Sequence, residues 1–268
     1  NSFVDSSPQG SVFCYYEWLE FSTDNNFQIL VYKENGRIMA GMPLPFYSTG
    51  KIGLPPLTQK MGVLFEDFSN TKYVTRLEKE KKIIYEFIDV LKREKKSYSM
   101  NFDWHFDNWL PFYWRGYEQT TRYTYVIDFS NKTLDQIWQD MDDRTRNSIR
   151  KAEKSSLRIF RTADVERFYE INKMTFERQK MKIPYSFEYV QKVYETFKDN
   201  ISIFEATDRG GNTHAMNFYI ADNRSVYYLM SGADPDFRSS GAQNLIHWEA
   251  IKHFYGKKQL RFLKWKFL

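Results

Sequence analysis

The sequence predicts a mixed α/β (α+β) fold built from two similar modules, and three observations carry that reading. Each half runs in the same order: a helix, antiparallel strands, a long helix, a strand. Within each half a strand leads through a crossover helix into another strand, a connection that ordinarily leaves the two strands parallel, so mixed sheets flanked by helices are expected. A junction falls between Phe129 and Lys132, giving modules 1–130 and 131–268, although identity between the halves is negligible.

In chain order, residues 14–21 (CYYEWLEF) read as a short helix. "FQILVYKENGRIMAGMPLPFY" is a hairpin, two β-rich runs around Glu34-Asn35-Gly36. "KIGLPPLTQKMGVLFED" is punctuated by Pro and Gly and reads as a loop with a strand. Residues 71–95 form a long helix with Ile83, Phe87, Ile88 and Leu91 at helical spacing, followed by the strand "SYSMNF". In the second half, "TLDQIWQDMDDRTRNSIRKAEKS" reads as one long helix. It opens on the capping-box pair Thr133 and Gln136 and repeats Leu134, Ile137, Trp138, Met141, Thr145, Ile149 and Ala152. "LRIFRTA" is a strand. Asp164 starts a helix to about Gln179, and Pro184-Tyr185-Ser186 starts another with the stripe Phe187, Val190, Tyr194, Phe197. Residues 201–231 are a three-stranded meander with turns at Asp208-Arg209-Gly210-Gly211 and Asp222-Asn223. A helix ending at Gly256 and a last strand in "QLRFLKWKF" complete the chain.

Composition narrows the function classes. Of 268 residues, 42% are hydrophobic and 27% charged, which suits a packed globular core. Net charge is +5, compatible with an anionic small substrate, an anionic membrane surface or RNA. The single cysteine, Cys14, excludes an internal disulfide and suits a reducing compartment, so a cytoplasmic protein is expected. No run approaches the length of apolar chain needed to span a bilayer, and no secretory signal is in view. His105, His214, His247 and His253 share no metal-ligand spacing, so no metal is expected. Nucleophile-elbow, P-loop and dinucleotide fingerprints are missing, and RRM, KH or OB-type signatures are missing too. No catalytic residue can be named from the sequence.

Two segments stand out as candidate binding sites. In "SGADPDFRSSGAQNLIHWEAIKHF", Arg238, Ser239, Ser240, Gly241 and Ala242 gather where a helix begins. The first N–H groups of a helix lack internal partners, so the turn can cradle an anion; it can equally be an ordinary strand-to-helix turn. Arg146, Arg150 and Lys154 repeat every four residues beside Asn147, opposite the apolar stripe of their helix. That strip is either a solvated face partly neutralised by Asp142, Asp143 and Glu153, or a rim for an anionic substrate. Tyr227 and Tyr228 alternate across a strand, so one faces the core and the other the opposite face, and Ser231 and Asp234 follow just beyond.

Three segments carry a resemblance: residues 124–160 with "RNSIRKAEKS", residues 171–194 "INKMTFERQKMKIPYSFEYVQKVY", and residues 214–254. "SVFCYYEWLE" (11–20) adds a weaker match. Together they span most of the chain, which resembles the GNAT superfamily and, within it, the FemAB branch of tandem-GNAT aminoacyltransferases that build peptidoglycan cross-bridges, with related acetyltransferases of surface-polysaccharide loci. The resemblance implies two tandem GNAT-like modules. It implies an N-acyltransferase that moves an acyl or aminoacyl group from an activated carrier to an amine of a cell-envelope precursor, a small molecule or peptide. It places the turn 238–242 at the mouth of a cleft, cradling the donor's phosphate or carboxylate, with Gly241 allowing close approach of backbone to ligand. Arg146, Asn147, Arg150, Lys154, Tyr227, Tyr228, Ser231 and Asp234 are the expected substrate-facing residues. Arg238-Ser239-Ser240-Gly241-Ala242-Gln243 keeps the first four positions of the family's Arg/Gln-x-x-Gly-x-Gly/Ala turn and loses its last small one. Both acyl-CoA and aminoacyl-tRNA therefore stay open as co-substrates, with no tightly bound cofactor, and tRNA and an anionic membrane surface are expected contacts. The alternative is a degenerate, non-catalytic module of the same fold that binds an envelope precursor or an assembly partner.

Overall fold

The computed structural model describes residues 1–47, 50–94, 97–257 and 261–265. The chain forms two compact units, Asn1–Arg122 and Tyr123–Leu268.

The first unit begins with α1 (Ser2–Ser6) and α2 (Tyr16–Ser22), which turns Trp18, Leu19 and Phe21 inward. β1 (Phe27–Glu34) and β2 (Arg37–Pro45) form the expected hairpin; Asn35 and Gly36 take φ of 50° and 80°, the positive values its two-residue turn requires. β3 (Lys51–Ile52) and β4 (Leu64–Phe65) are short, and β4 pairs with β2. α3 (Tyr73–Glu94) buries Ile83, Ile84, Phe87, Ile88 and Leu91 against Met39, Met42 and Leu44 of β2. β5 (Ser97–Tyr98) occupies only the first two residues of the expected strand 97–102. Its parallel partner β3 runs out into Gly53-Leu54-Pro55-Pro56, where the prolines have no N–H to continue a ladder. α4 (Leu110–Trp114) closes the unit, with Phe112 in the core.

The second unit is one six-stranded mixed sheet with helices on both faces. In chain order it comprises β6 (Thr124–Asp128), α5 (Leu134–Asp140), α6 (Asp143–Lys154), β7 (Arg158–Thr162), α7 (Val165–Arg178), α8 (Phe187–Thr196), β8 (Ile201–Thr207), β9 (Thr213–Ala221), β10 (Ser225–Ala233), α9 (Ala242–Gly256) and β11 (Arg261–Trp265). The strand order is β6-β11-β10-β9-β8-β7. β10 and β11, joined by the crossover helix α9, are parallel; every other neighbouring pair is antiparallel. β6 lies within the span 1–130, yet it pairs with β11 and completes the second unit's sheet. The remainder of the expected strand 259–267, residues 259, 260, 266 and 267, lies outside the described residues.

The helix expected from 133 to 155 is two helices. The capping box at Thr133 and Gln136 forms as the sequence predicts. The first helix then stops at Met141, whose ψ is 144°, and Asp142 caps a new one by accepting from Thr145 N at 2.9 Å and Thr145 Oγ1 at 2.8 Å. A short acidic side chain that bonds the backbone ahead of it competes with helix continuation, and here it wins. Asp164 and Ser186 cap α7 and α8 in the same way.

α9 packs on one face of the sheet, against Phe204, Ala206, Ala215, Tyr219, Val226 and Phe262. The other face meets α7, where the rings of Phe168 and Phe218 lie 5.2 Å apart. Side chains alternate between these faces along each strand, which fixes what can line the α9 side.

Candidate active site

Among the described residues, the sheet of the second unit opens between β10 and β11. β10 pairs with β11 at Ser225, Val226 and Tyr227, opposite Arg261, Phe262 and Leu263, and among the described residues the pairing goes no further, although β10 runs on to Ala233 and β11 to Trp265. A bulge lies at the same point: Tyr228 pairs with Tyr219 and Met230 with Phe218, leaving Leu229 as the extra residue. A bulge adds local twist and re-aims the side chains around it. Beyond Tyr227 the α9 face of β10 presents Tyr228, Ser231 and Ala233, all half-buried, while their neighbours Leu229, Met230 and Gly232 are buried.

A strand released from its neighbour has backbone groups to satisfy. Side chains take them. Asn172 of α7 donates through Nδ2 to the Ser231 carbonyl at 2.5 Å, Thr175 Oγ1 accepts from Ala233 N at 3.1 Å, and Gln243 of α9 donates to the Gly232 carbonyl at 2.9 Å. Asn172 is itself held by Tyr185, whose hydroxyl donates to Oδ1 at 2.9 Å. Gly232 lets α7 come this close, since a Cβ there would stand 2.4 Å from the backbone of Ile171 and Asn172. The parted geometry is thus built into the sequence.

Behind the parting lies a polar cluster on the α9 face. Asn217 donates to the Tyr219 hydroxyl at 3.0 Å, and that hydroxyl lies 2.8 Å from His247 Nδ1. The His247 ring meets the Tyr228 ring edge-on, centroids 4.6 Å apart. Burial pushes the Tyr228 phenol up to about 12, partly offset by a hydrogen bond with the Ser231 side chain. It is un-ionised at neutral pH and can only donate or accept a hydrogen bond there.

At the far end of the same strand face, a recess of about 300 Å³ is lined by Ala215, Ala233, Phe237 to Asn244, Ser148 and His214. A 3₁₀ turn, Pro235–Ser240, leads into Gly241 and then α9. Arg238 is exposed at this turn. Helix geometry leaves the N–H groups of Gln243 and Asn244 without intrahelical partners, whereas Ala242 N donates to Ser240 Oγ at 3.3 Å. His214 stacks on Phe237 at 4.0 Å and points Nε2 toward Asp208, whose carboxyl is pulled down to about 2 by Asn212 and neighbouring backbone N–H groups. Gly241 has φ of 77°, and a Cβ on it would stand 2.7 Å from the Ser148 carbonyl oxygen of α6. Its bare Cα is required by helix packing at that point, and the same residue lines the recess.

The remaining sequence candidates divide sharply. Tyr228 and Ser231 lie on the open strand face. Tyr227 faces α7, fully buried, and donates to Asp222 at 3.0 Å. Asp234 caps the 3₁₀ turn by accepting from Asp236 N. Arg146 is half-buried and committed: it donates to the backbone and side chain of Gln139 and pairs with Asp143, tying α6 to α5. It does not stand with the exposed Asn147, Arg150 and Lys154. Arg150 donates to Asn147 at 3.3 Å and lies over the Trp138 ring. The sequence reading passed over Asn172, Thr175, Gln243 and His247. For Asn172 and Thr175 a signal was present: they share the α7 stripe with Val165 and Phe168 at helical spacing, polar residues where apolar ones belong.

Parallel strands parting beside a helix whose N-terminus closes the opening define a GNAT-type acyltransferase fold. The family model described as "Acetyltransferase (GNAT) domain" matches residues 139–263, which lie within the second unit, so that unit is similar to a GNAT acetyltransferase domain. The whole chain shares its fold with tandem-GNAT structures. The crystal structure of FemX superposes with a TM-score of 0.73 over 99% of this chain and 86% of FemX, at 12% identity. L-PGS from Bacillus licheniformis gives 0.60 over 98% of this chain and 73% of that one, at 10% identity. A tandem GNAT protein from the clavulanic acid biosynthesis pathway gives 0.51 over 93% and 86%, at 7% identity. No curated protein matches the chain by sequence.

Proposed function

We propose that the protein transfers an acyl or aminoacyl group from an activated carrier to an amine of a cell-envelope precursor. One observation carries the reading: the opening between β10 and β11 leads along Tyr228, Ser231 and Ala233 into the recess at the start of α9. The recess suits the donor's anionic group, bound by the N–H groups of Gln243 and Asn244 with Arg238 beside them. The acyl arm then runs along the half-buried face of β10, with Asn172, Thr175 and Gln243 keeping that strand from closing on β11. An acceptor amine attacks the acyl carbonyl directly, so no side-chain nucleophile is needed. The fold shared with FemX and L-PGS supports an envelope precursor as acceptor. Among the described residues no helix is long and apolar enough to cross a membrane. We place the reaction in the cytoplasm, where both acyl-CoA and aminoacyl-tRNA are available as donors.

The test is a transfer assay that pairs a panel of acyl-CoAs and aminoacyl-tRNAs with amine-bearing, UDP-linked envelope precursors. Product from one donor class is expected. Precursor binding without transfer from any donor would make the protein a binding module of this fold instead.

A further inference from the structure

Resting on the transfer reading above, we propose that the Tyr228 hydroxyl is a catalytic group, donating a hydrogen bond to the acyl carbonyl oxygen as that oxygen becomes an oxyanion.

Three structural features converge on this residue. Tyr228 is the first residue of β10 past its last pair with β11, so it stands where the opening begins. It flanks the bulge at Leu229, which sets its direction relative to the rest of the strand. It is half-buried on the α9 face, in line with Ser231 and Ala233, the face that continues into the recess at α9.

The surroundings prepare it to donate. The ring is wedged between Tyr219 and His247, with centroids 5.6 and 4.6 Å away, so the phenol swings little. Those neighbours are pinned in turn by the chain from Asn217 through Tyr219 to His247. Burial keeps the hydroxyl protonated near neutral pH, and the Ser231 side chain hydrogen-bonds to it. A neutral, pre-aligned donor in a poorly hydrated site costs no reorganisation when charge develops on its partner.

The step balances without Tyr228 losing its proton. The amine nitrogen's lone pair forms the new C–N bond, and the carbonyl π pair moves onto oxygen, which the phenol then holds. When the oxyanion collapses, the bond to the carrier's sulfur or oxygen breaks with its electron pair, and that atom takes the proton shed by the ammonium. Amide and free carrier remain, with no oxidant or further reactant. Ser231, His247 and Tyr219 act through Tyr228 and are positioning residues.

The experiment compares Tyr228→Phe and Ser231→Ala in the transfer assay on the full chain, with unfolding midpoints measured alongside. Tyr228→Phe keeps the ring packed on His247 and removes only the hydroxyl. It should lower kcat by about 100-fold, the loss typical of an oxyanion donor, and leave the donor's KM and the unfolding midpoint near the parent's. Ser231→Ala removes a positioning contact and leaves the donor in place, so it should lower kcat by a clearly smaller factor than Tyr228→Phe. A Tyr228→Phe enzyme with the parent's kcat, or one altered only in KM, would overturn the proposal while the transfer reading stood. Equal losses in both variants would reduce the hydroxyl to a structural partner of Ser231. A parent silent with every donor would overturn the transfer reading and this role together.

Discussion

Gly241 lies against the Ser148 carbonyl, so close that a Cβ would stand 2.7 Å from the oxygen and 3.2 Å from the Ala152 methyl. The left-handed backbone at this position, φ 77°, is a second reason that only glycine fits. Gly241→Val should therefore destabilise the second unit by about 2–4 kcal/mol, combining left-handed strain with overpacking against α6. A thermal melt checks this. A variant that melts with the parent and only loses donor affinity would show that the glycine answers to the ligand.

Arg238 separates the two roles cleanly, because it is exposed. Arg238→Ala should leave stability within about 0.5 kcal/mol of the parent. If it bonds the donor's anionic group, the substitution weakens donor binding by about 1.5–3 kcal/mol, read by calorimetry with CoA and with aminoacyl-tRNA. Unchanged affinity for both would remove Arg238 from the site.

These two residues also show what was legible in the sequence. Local signals resolved well: Thr133 with Gln136, Asp164 and Ser186 each cap the helix they precede, and the Asn35-Gly36 turn makes its hairpin. The crossover through α9 correctly implied parallel β10 and β11. What was hidden depends on neighbours distant in sequence. Nothing near Gly241 announces Ser148, and nothing near Ser231 announces Asn172, 59 residues away. The α5–α6 break was misread because the apolar period runs through it, while the decisive feature is one carboxylate, Asp142, bonding Thr145. Of two adjacent tyrosines, only strand pairing could show that Tyr228, not Tyr227, reaches the opening.

The basic strip makes a contrast within one helix. Arg146 bridges α6 to Gln139 of α5, so Arg146→Glu should cost about 1–3 kcal/mol by breaking charge-assisted bonds and placing a carboxylate near Asp143. Arg150→Glu and Lys154→Glu alter exposed side chains and should fall within about 0.5 kcal/mol of the parent. Should the exposed pair bind an anionic acceptor, the double reversal will weaken its binding strongly without moving the melt. Identical acceptor affinity would make the strip a solvated face.

In the first unit, Lys60 and Asp103 form a buried ion pair, each side chain only 4% exposed. His105 adds two hydrogen bonds to the same carboxylate, from its backbone N at 2.9 Å and from Nδ1 at 2.6 Å. Burial alone would raise the Asp103 pKa, but Lys60 and the His105 bonds outweigh it and hold the carboxyl below its usual range. A depressed folded pKa contributes stability that is present above the unfolded value, near 3.9, and lost as pH falls through the folded one. Lys60→Met removes the charge that overcomes burial. The carboxylate then keeps only the His105 bonds and loses its buried counter-charge, at a cost of about 3–5 kcal/mol near neutral pH. The sign of the pH dependence should also reverse: with burial now dominant, the folded pKa rises above the unfolded one, and stability lost at neutral pH returns as acidification protonates Asp103. Denaturant unfolding of parent and variant between pH 4 and 8, followed by amide exchange in α2 and α3, reads both effects. A Lys60→Met protein whose first unit keeps the parent's stability and pH slope would show that the His105 hydrogen bonds, without Lys60, suffice to hold Asp103.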